Sequence, residues 1–540
     1  MKKLKRYAAL LLALTLVAGL LAGCRREDSL SFRVGFGRVP ATLDPALASA
    51  DEEKIVVSHL FENLMKLQSD GSGGTTAVNG MARSYQCDAT AEGQETYTFK
   101  LRSATWSDGT KVTAQDFVYA WKRLVAPETG SKNAKLLDMV AGYTAARAGD
   151  AEALQVSAPD EETFVVALSG RCPYFIDSVC TAAATMPVQS AAVAQENWSM
   201  SASTLVTNGP YTVSSWEGDT LTLTQSADYH DKRRLGPENL TFRFTADAKT
   251  ANSLYDRGEV DFVLSLTEEA VAKKIDSWTP DSYPETSVVL LNQLSSLTSN
   301  ENVRRAMGLV IDRNAIAELL GARTHPAAKG LVTWGIRSTA GGQFRDLGPA
   351  VDNDSENYEK NCQTARELMQ AAGYTAGTLA KLGTVTMLYE SDGITDSLAA
   401  LLQKTWKEKL GLDVTLQGVT TAQIDQALAR GEYTIAALRV SSDRNDATGF
   451  LNSWRKGNED NYANFYSSAY DMLLRVAAVS VSQEARDAYL EDAERLLLEQ
   501  GNVIPLYYST ISWSLSEHYT GVFGDGLGRY FFYAVHKASK

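Results

Sequence analysis

The feature that most constrains the fold is residues 97–127, where a strand, a turn and a helix follow one another directly. Apolar and polar residues alternate from 97 to 102, which predicts a half-buried strand. Asp108 and Gly109 then supply turn chemistry, because Asp bonds its own backbone and Gly tolerates positive φ. Apolar residues at helical spacing after Thr113 predict an amphipathic helix. The stretch carries no reactive group, so we interpret it as scaffold.

The N-terminus is typical of a secretory signal. Four basic residues within positions 2–6 precede an apolar run over 8–21, and small residues then lead to Cys24. This ending is similar to the lipobox of bacterial lipoproteins, which implies a mature chain that starts at Cys24 and is tethered to the membrane by lipid. The alternatives are an ordinary cleaved signal and an uncleaved anchor helix, for which the run is short.

Length and charge bound the class of protein. A chain of 540 residues exceeds one ordinary core, so we expect more than one lobe. The formal net charge is −13, and removal of the signal would make the chain more acidic still. Such a chain is a poor binder of nucleic acid, and we expect no nucleic-acid partner.

The cysteines and histidines show no metal-binding pattern. Besides Cys24 there are Cys87, Cys172, Cys180 and Cys362, and their spacing resembles no metal-ligand pattern. Outside the cytoplasm Cys172 and Cys180 either close a small loop disulfide or stay free. The five histidines do not cluster, which disfavours direct metal binding.

The pattern of apolar residues changes in the second half of the chain. Strands and helices alternate from about residue 303 onward, which predicts a mostly parallel, three-layer lobe. Strands that cross between lobes are predicted near residues 288 and 504. Long helices are predicted over 52–67, 134–153, 303–320 and 470–500.

A series of short motifs resembles a known family. The motifs are Leu43-Asp44-Pro45, Tyr97-Thr98-Phe99, Trp106-Ser107-Asp108-Gly109, Asn208-Gly209-Pro210-Tyr211, Gly258-Glu259-Val260-Asp261, Asp312-Arg313, Ala372-Gly373-Tyr374 and Ile504-Pro505-Leu506-Tyr507-Tyr508. In this order they resemble the extracellular solute-binding proteins of family 5, which include the oligopeptide- and dipeptide-binding lipoproteins of ABC importers. The resemblance covers about residues 31–540.

The resemblance implies an α/β, two-lobe clamp of the periplasmic-binding-protein type (type II, cluster C) with an extra subdomain inserted in the first lobe. The implied boundaries are a signal peptide at 1–23, a tether at 24–30, lobe one at 31–65, 205–290 and 505–540, the inserted subdomain at 66–204, and lobe two at 291–504. Ligand would be enclosed between the lobes, and hinge closure would present it to the permease of an ABC transporter. We expect a monomer without a cofactor.

The resemblance also places a ligand site in the loop at 441–447. A buried ammonium needs a carboxylate, and in peptide-binding relatives an Asp of this loop takes the ligand ammonium. Asp443 falls on that position, two residues after Ser441. Without the resemblance, an Asp in a polar loop indicates only turn chemistry. We interpret Asp446 as a loop-capping residue, and Ala447 replaces a proline that is usual there.

For the other candidate ligand contacts, the sequence leaves alternatives open. Arg439 either meets a ligand carboxylate or faces solvent, since strand alternation allows both. Ala41 departs from the polar or aromatic contacts of some relatives, although backbone contacts at residues 40–42 do not depend on side chains. Trp334, Trp454 and Tyr508 are candidates for the cleft wall, with core packing as the alternative for each.

Four classes of function are compatible with these observations to different degrees. The first is the peptide-binding component of an importer. The second is a family-5 binder of another solute, such as a sugar, a metal chelate or haem, and the third is a peptide-sensing receptor. An enzyme is disfavoured, because the sequence contains no GxSxG, HExxH or P-loop motif.

Overall fold

The computed structural model describes residues 30–71, 74–91, 93–273 and 278–539. The predicted signal and Cys24 lie outside the described residues. Within the described ranges, no helix has both the length and the apolar character needed to cross a membrane.

Strands and helices are distributed along the whole described chain. The strands are β1 Ser31–Phe36, β2 Met65–Ser69, β3 Thr75–Asn79, β4 Ala82–Ala89, β5 Glu95–Leu101, β6 Val156–Asp160, β7 Thr163–Ala167, β8 Tyr211–Glu217, β9 Thr220–Gln225, β10 Asn239–Phe244, β11 Phe262–Leu264, β12 Thr279–Leu291, β13 Thr386–Glu390, β14 Thr415–Val419, β15 Ile435–Ser441, β16 Val503–Leu515, β17 Tyr519–Thr520, β18 Phe523–Gly524, β19 Tyr530–Phe531 and β20 His536–Lys537. The helices are α1 Asp51–Leu60, α2 Ala114–Val125, α3 Tyr143–Arg147, α4 Ser190–Val193, α5 Ala248–Asp256, α6 Glu268–Lys273, α7 Glu301–Leu309, α8 Arg313–Leu320, α9 Tyr358–Ala371, α10 Ala376–Leu379, α11 Ile394–Leu410, α12 Thr421–Arg430, α13 Thr448–Leu451, α14 Ser468–Val479 and α15 Gln483–Glu499.

A ten-stranded sheet runs through the molecule in the order β14-β13-β15-β12-β16-β11-β1-β10-β9-β8. The two long antiparallel strands β12 and β16 lie at its centre and connect its halves. We call lobe two the part built from β13–β15, α7–α15 and the adjoining halves of β12 and β16. Lobe one contains β1, β8–β11, the other halves of β12 and β16, and β17–β20. The inserted subdomain contains β2–β7 and α2–α4.

The change from one lobe to the other occurs inside β12 and β16. Their pairing is irregular between Ser282 and Thr286, opposite Thr510 and Tyr508. Beyond this irregularity β12 packs into lobe two, whereas Ile511 of β16 belongs to the core of lobe one. The two strands predicted to cross between lobes are therefore present, while the implied domain boundaries stay a prediction.

Lobe two has the predicted three layers. Strands β13, β14 and β15 are parallel, and β12 joins them antiparallel. Because side chains alternate along a strand, Val289 and Leu291 pack with α7, α9 and α11 on one face of the sheet. Val288 and Leu290 pack with α12, α13 and α15 on the other face.

The stretch at 97–127 lies in the inserted subdomain, where it forms most of β5 and all of α2. Helix α2 begins directly after Thr113, whose amide donates to the Asp116 carboxylate at 2.7 Å. Its apolar face packs on the sheet β4-β5-β7-β6, with Trp121 edge-on to Phe164 at 5.1 Å. These side chains share one buried core with lobe one, so the predicted scaffold role is supported.

Four long helices predicted from periodicity are interrupted. The first ends at Leu60, because Asn208 accepts the Glu62 amide at 3.0 Å and the chain continues as β2. The helix over 134–153 is reduced to short turns separated by Gly142 and Gly149, whose φ angles are 84° and 112°. Periodicity alone does not register such breaks, since apolar spacing continues across them.

The other two interruptions carry side-chain caps. Asp312 accepts the amides of Asn314 at 3.0 Å and Ala315 at 3.1 Å, and thereby starts α8 as a separate helix. Ser482 accepts the Ala485 amide at 3.1 Å at the start of α15. The segment predicted as one helix over 470–500 is therefore two helices, α14 and α15.

Candidate functional site

Two cavities lie between lobe two and the other two parts of the molecule. The larger has a volume of about 1030 Å³ and is lined by all three parts, including Tyr174, Asp281 and Trp334. The smaller has a volume of about 370 Å³, and Asp443 and Arg444 are among its lining residues. Both cavities therefore have the position in which a clamp encloses a ligand.

The predicted ligand loop follows the central sheet directly. Strand β15 ends at Ser441, which lines the smaller cavity, and α13 starts at Thr448. Asp446 accepts the Thr448 amide at 2.9 Å, which confirms its capping role. A Cβ at Gly449 would lie 1.8 Å from Ser442 Oγ, so the backbone approaches the loop more closely than any other residue would allow. The loop is thereby fixed at both ends.

Arg444 connects this loop to the inserted subdomain. Its Nε donates to Asp443 Oδ1 at 2.8 Å, and its Nη1 donates to Asp138 Oδ1 at 3.1 Å and to the Tyr174 hydroxyl at 2.8 Å. The side chain is only 2% exposed. Burial favours the neutral Asp443 carboxyl, but the adjacent Arg444 charge outweighs this effect and lowers the pKa of Asp443.

Further contacts join lobe two to the inserted subdomain. They are an ion pair of Lys135 with Asp460, a hydrogen bond from the Asn445 amide to Ser178 Oγ at 3.2 Å, and an ion pair of Arg337 with Asp177 at 3.8 Å. Together with Arg444, these contacts hold the two parts against each other. Lobe two and the inserted subdomain therefore contact each other across the cleft.

The charges that line the smaller cavity balance as a whole, because the carboxylates of Asp138, Glu285, Asp443 and Asp460 accompany the cations of Lys54, Lys132, Lys135 and Arg444. Arg444 contacts two carboxylates, Asp443 and Asp138, so this cluster of three side chains keeps one excess negative charge. Asp443 is 38% exposed although Arg444 is almost fully buried. A carboxylate accepts several hydrogen bonds, so Asp443 can receive a further donor from the cavity.

Arg439 is held within lobe two. Its guanidinium forms ion pairs with Asp392 at 2.9 Å, Glu390 at 3.2 Å and Glu285 at 3.8 Å. Of these partners, Glu285 also lines the smaller cavity. Arg439 therefore lies next to the site with its charge already compensated.

The aromatic candidates are in different places. Trp334 lines the larger cavity, and its buried Nε1 has no hydrogen-bond partner among the described residues. Trp454 instead lies in the core of lobe two and donates to the Phe450 carbonyl at 2.9 Å. Tyr508 is also buried, and its hydroxyl accepts the Lys329 amide at 3.0 Å. Neither Trp454 nor Tyr508 lines either cavity.

Ala41 is exposed and lines neither cavity. Its amide donates to Glu53 Oε1 at 2.8 Å, at the start of α1. The backbone donor considered for ligand at this position is therefore engaged by the protein itself.

Sequence reasoning missed the residues that close the cleft. Arg444 stood within the predicted loop, but its partner Asp138 is 306 positions away in the chain. No local pattern marks such a pair. The sequence signal that could have marked Arg444 is its place directly after the predicted anchor Asp443.

The described residues hold no group of three or more His, Cys, Asp or Glu side chains arranged for a metal ion. Cys172 and Cys180, together with Cys87 and Cys362, are free. The disulfide considered between Cys172 and Cys180 is therefore not formed, and both thiols are buried.

Comparisons with known proteins agree with this architecture. Residues 76–462 match the family described as bacterial extracellular solute-binding proteins, family 5 Middle. The chain is 29% identical over 483 residues to the periplasmic oligopeptide-binding protein OppA of Escherichia coli K12, covering 86% of this chain and 85% of OppA. It is also 29% identical over 483 residues to the periplasmic murein peptide-binding protein MppA of the same organism, with 87% and 86% covered.

A solved structure extends the likeness to the fold. The unliganded open form of MppA, described as a periplasmic murein tripeptide binding protein, has a TM-score of 0.76 and 25% sequence identity. The match covers 94% of this chain and 98% of MppA. The matched family consists of solute-binding proteins that are not enzymes. The chain belongs to the bacterial extracellular solute-binding proteins of family 5.

Proposed function

We propose that this protein is the substrate-binding component of an ABC transporter, and that it captures short peptides between its lobes and delivers them to the permease. The observation that carries the proposal is the position of Asp443. Its carboxylate is partly exposed at a cavity between the lobes and accepts from Arg444, with lone pairs left for a further donor. The terminal ammonium of a peptide supplies the matching cation.

The wider cleft supports a peptide as ligand. The larger cavity, of about 1030 Å³, adds room beyond the Asp443 site, at the upper end of the roughly 300–1,000 Å³ common for small-ligand pockets. The curated relatives include proteins named for oligopeptide and murein-peptide binding. Delivery would follow hinge opening and closing at the irregular segment of β12 and β16.

We also propose that lipid on Cys24 holds the protein on the outer side of the cell membrane. The pattern of residues 2–24 supports this anchor. Cys24→Ser is expected to release the protein into the soluble extracytoplasmic fraction and to abolish labelling by a fatty-acid analogue. Continued labelling of Cys24→Ser would refute lipidation at this residue.

Native mass spectrometry of the protein without residues 1–24 tests the peptide function. We expect copurified peptides in the bound mass, which denaturation releases and fragmentation then sequences. A sugar, a metal complex or another small solute in their place would overturn the proposal in favour of a family-5 binder of that solute. A peptide-sensing receptor would bind the same ligands but would support no uptake of labelled peptide by cells.

A further inference from the structure

The larger cavity is lined by carboxylates and arginines that mostly form pairs with each other. The pairs are Asp446 with Arg486 at 2.9 Å, Asp177 with Arg337 at 3.8 Å, and Glu95 with Arg171 at 4.0 Å. Every arginine that lines this cavity is therefore already compensated by a carboxylate. A further carboxylate in the wall leaves the cavity with a negative charge.

Asp281 of β12 is such a carboxylate. It accepts the Ser282 amide at 2.8 Å and the Tyr530 hydroxyl at 3.1 Å, and both of these donors are neutral. No lysine or arginine of the described part of the chain forms an ion pair with it. Burial raises the pKa of Asp281, and the charge of Asp525 adds to this effect. Asp281 is half-buried in the cavity wall. A carboxylate that is partly removed from water and has no cation nearby favours a cation from outside the protein.

Lobe two approaches the residue next to Asp281 at this end of the cavity. A Cβ at Gly335 would lie 2.1 Å from Ser282 Oγ, so the Trp334–Gly335 segment of lobe two is pressed against the residue next to Asp281. The φ of Gly335 is +87°, which only glycine adopts easily. The Trp334 side chain lines the cavity, while its Nε1 is shielded from solvent.

We propose that the larger cavity is a specificity pocket for a positively charged side chain of the ligand, with Asp281 as its counter-ion. A lysine ammonium or an arginine guanidinium would contact the Asp281 carboxylate in the cavity wall. This inference rests on the proposed peptide function and adds a preference for basic peptides. The pocket is distinct from the Asp443 site, which lines the smaller cavity.

Isothermal titration calorimetry with a peptide scan tests the preference. The probes are alanine tetrapeptides that carry either lysine or norleucine at each position in turn, because norleucine matches the lysine stem without its charge. For the wild type we expect lysine to bind at least about tenfold more tightly than norleucine at one position or more. Asp281→Asn keeps the size and one acceptor oxygen, and it is expected to reduce this ratio to about one.

Control variants separate charge at this site from general effects. Asp219→Asn removes an exposed carboxylate in the turn between β8 and β9 and is expected to keep the wild-type ratio. Trp334→Phe alters the cavity wall without changing its charge and is expected to keep the wild-type ratio. If Asp281→Asn does not fold, Asp281→Ser serves as a second neutral variant.

The outcomes distinguish the two proposals. Equal affinities for lysine and norleucine peptides at every position would overturn the basic-side-chain preference and leave the peptide function intact. A lysine preference that persists in a folded neutral variant of Asp281 would likewise overturn the role of this residue. If none of the tetrapeptides binds, the result would count against the peptide function itself. The proposed specificity for a basic side chain would then be overturned as well.

Discussion

Arg444 of lobe two and Asp138 of the inserted subdomain form an ion pair of 3.1 Å across the cleft, although 306 positions separate them in the chain. The same guanidinium contacts Asp443, which we propose as the ligand anchor. One buried side chain therefore takes part in both lobe closure and the electrostatics of the site. This double role makes the coupling between closure and ligand binding testable at single residues.

Replacement of Arg444 is expected to open the unliganded clamp. In Arg444→Gln, the carboxylates of Asp138 and Asp443 face each other without the buried cation, and loss of one partner of a buried pair costs roughly 3–5 kcal/mol. That cost falls on the closed state, so small-angle X-ray scattering should give a larger radius of gyration than for the wild type. Arg171→Gln removes an arginine that pairs within the inserted subdomain and is the matched control. An unchanged radius for Arg444→Gln would show that other contacts set closure.

The Asp443 anchor predicts dependence on a free ligand amine. Asp443→Ala should lose about 2–5 kcal/mol of binding free energy for a peptide with a free N-terminus, because a charged hydrogen-bonding partner is removed. Calorimetry with the same peptide after N-acetylation checks the cause, since wild type and variant should bind that peptide with similar affinity. Glu161→Ala, an exposed carboxylate of the inserted subdomain, serves as control. Unchanged affinity of Asp443→Ala for the free peptide would remove Asp443 from the site.

A buried ion pair in lobe two is expected to contribute more to the free energy of unfolding than an exposed pair. Arg345 Nη2 donates to both Glu494 oxygens, at 2.6 and 2.7 Å, and the Glu494 side chain is fully buried. Glu494→Gln keeps the shape but leaves the guanidinium without its counter-ion, so the free energy of unfolding should fall by roughly 3–5 kcal/mol in urea titrations.

The same helix offers a matched exposed pair. Glu491 and Arg495 are 2.6 Å apart on α15, with side chains that are 24% and 46% exposed. Glu491→Gln should change the free energy of unfolding by no more than about 1 kcal/mol, because water and salt screen exposed pairs. Equal effects of the two substitutions would contradict the importance of burial at Glu494.

His59 should make stability depend on pH. Its ring is fully buried and stacks on Phe532 with centroids 5.2 Å apart, while its Nε2 accepts the Phe532 amide at 2.9 Å. Burial lowers the pKa of His59 to about 4, below its ordinary value of 6.5. The unfolded chain therefore binds more protons between these values, and stability is lost as pH falls from about 6.5 towards 4.

A variant isolates this contribution. At about 1.4 kcal/mol per pH unit, the His59 effect is on the order of 3 kcal/mol across the whole interval. Urea unfolding at pH 7.5 and pH 4.5 should show a smaller loss of stability for His59→Gln than for the wild type. Parallel pH dependences of the two proteins would exclude a neutral, buried His59 as the cause.

Local patterns predicted the elements whose signal lies within a few residues. Residues 97–127 form the expected strand and helix because alternation, turn residues and the Asp116 contact all act locally. The strand–helix alternation after residue 303 likewise gave the three-layer lobe. Helix ends at Leu60 and around Asp312 were not predicted, since they depend on caps and on partners such as Asn208.

The site was predictable in part. The Asp443 loop could be placed through resemblance, and the structure puts Asp443 at a cavity. The positions of the aromatic candidates could not be predicted, because the identity of a residue does not show whether its side chain faces the core or the cleft. Trp334 lies at the cleft, whereas Trp454 packs in a core.

By itself, the sequence determined the family, the α/β class and the loop that carries Asp443, because these follow from motifs and periodicities within short segments. Only the tertiary structure decided that Arg444 reaches Asp138, that Cys172 and Cys180 are not bonded, and that no cation of the described residues pairs with Asp281. Each of these depends on the distance and burial of groups in the folded chain, and electrostatic and covalent partners are set by that proximity rather than by residue type.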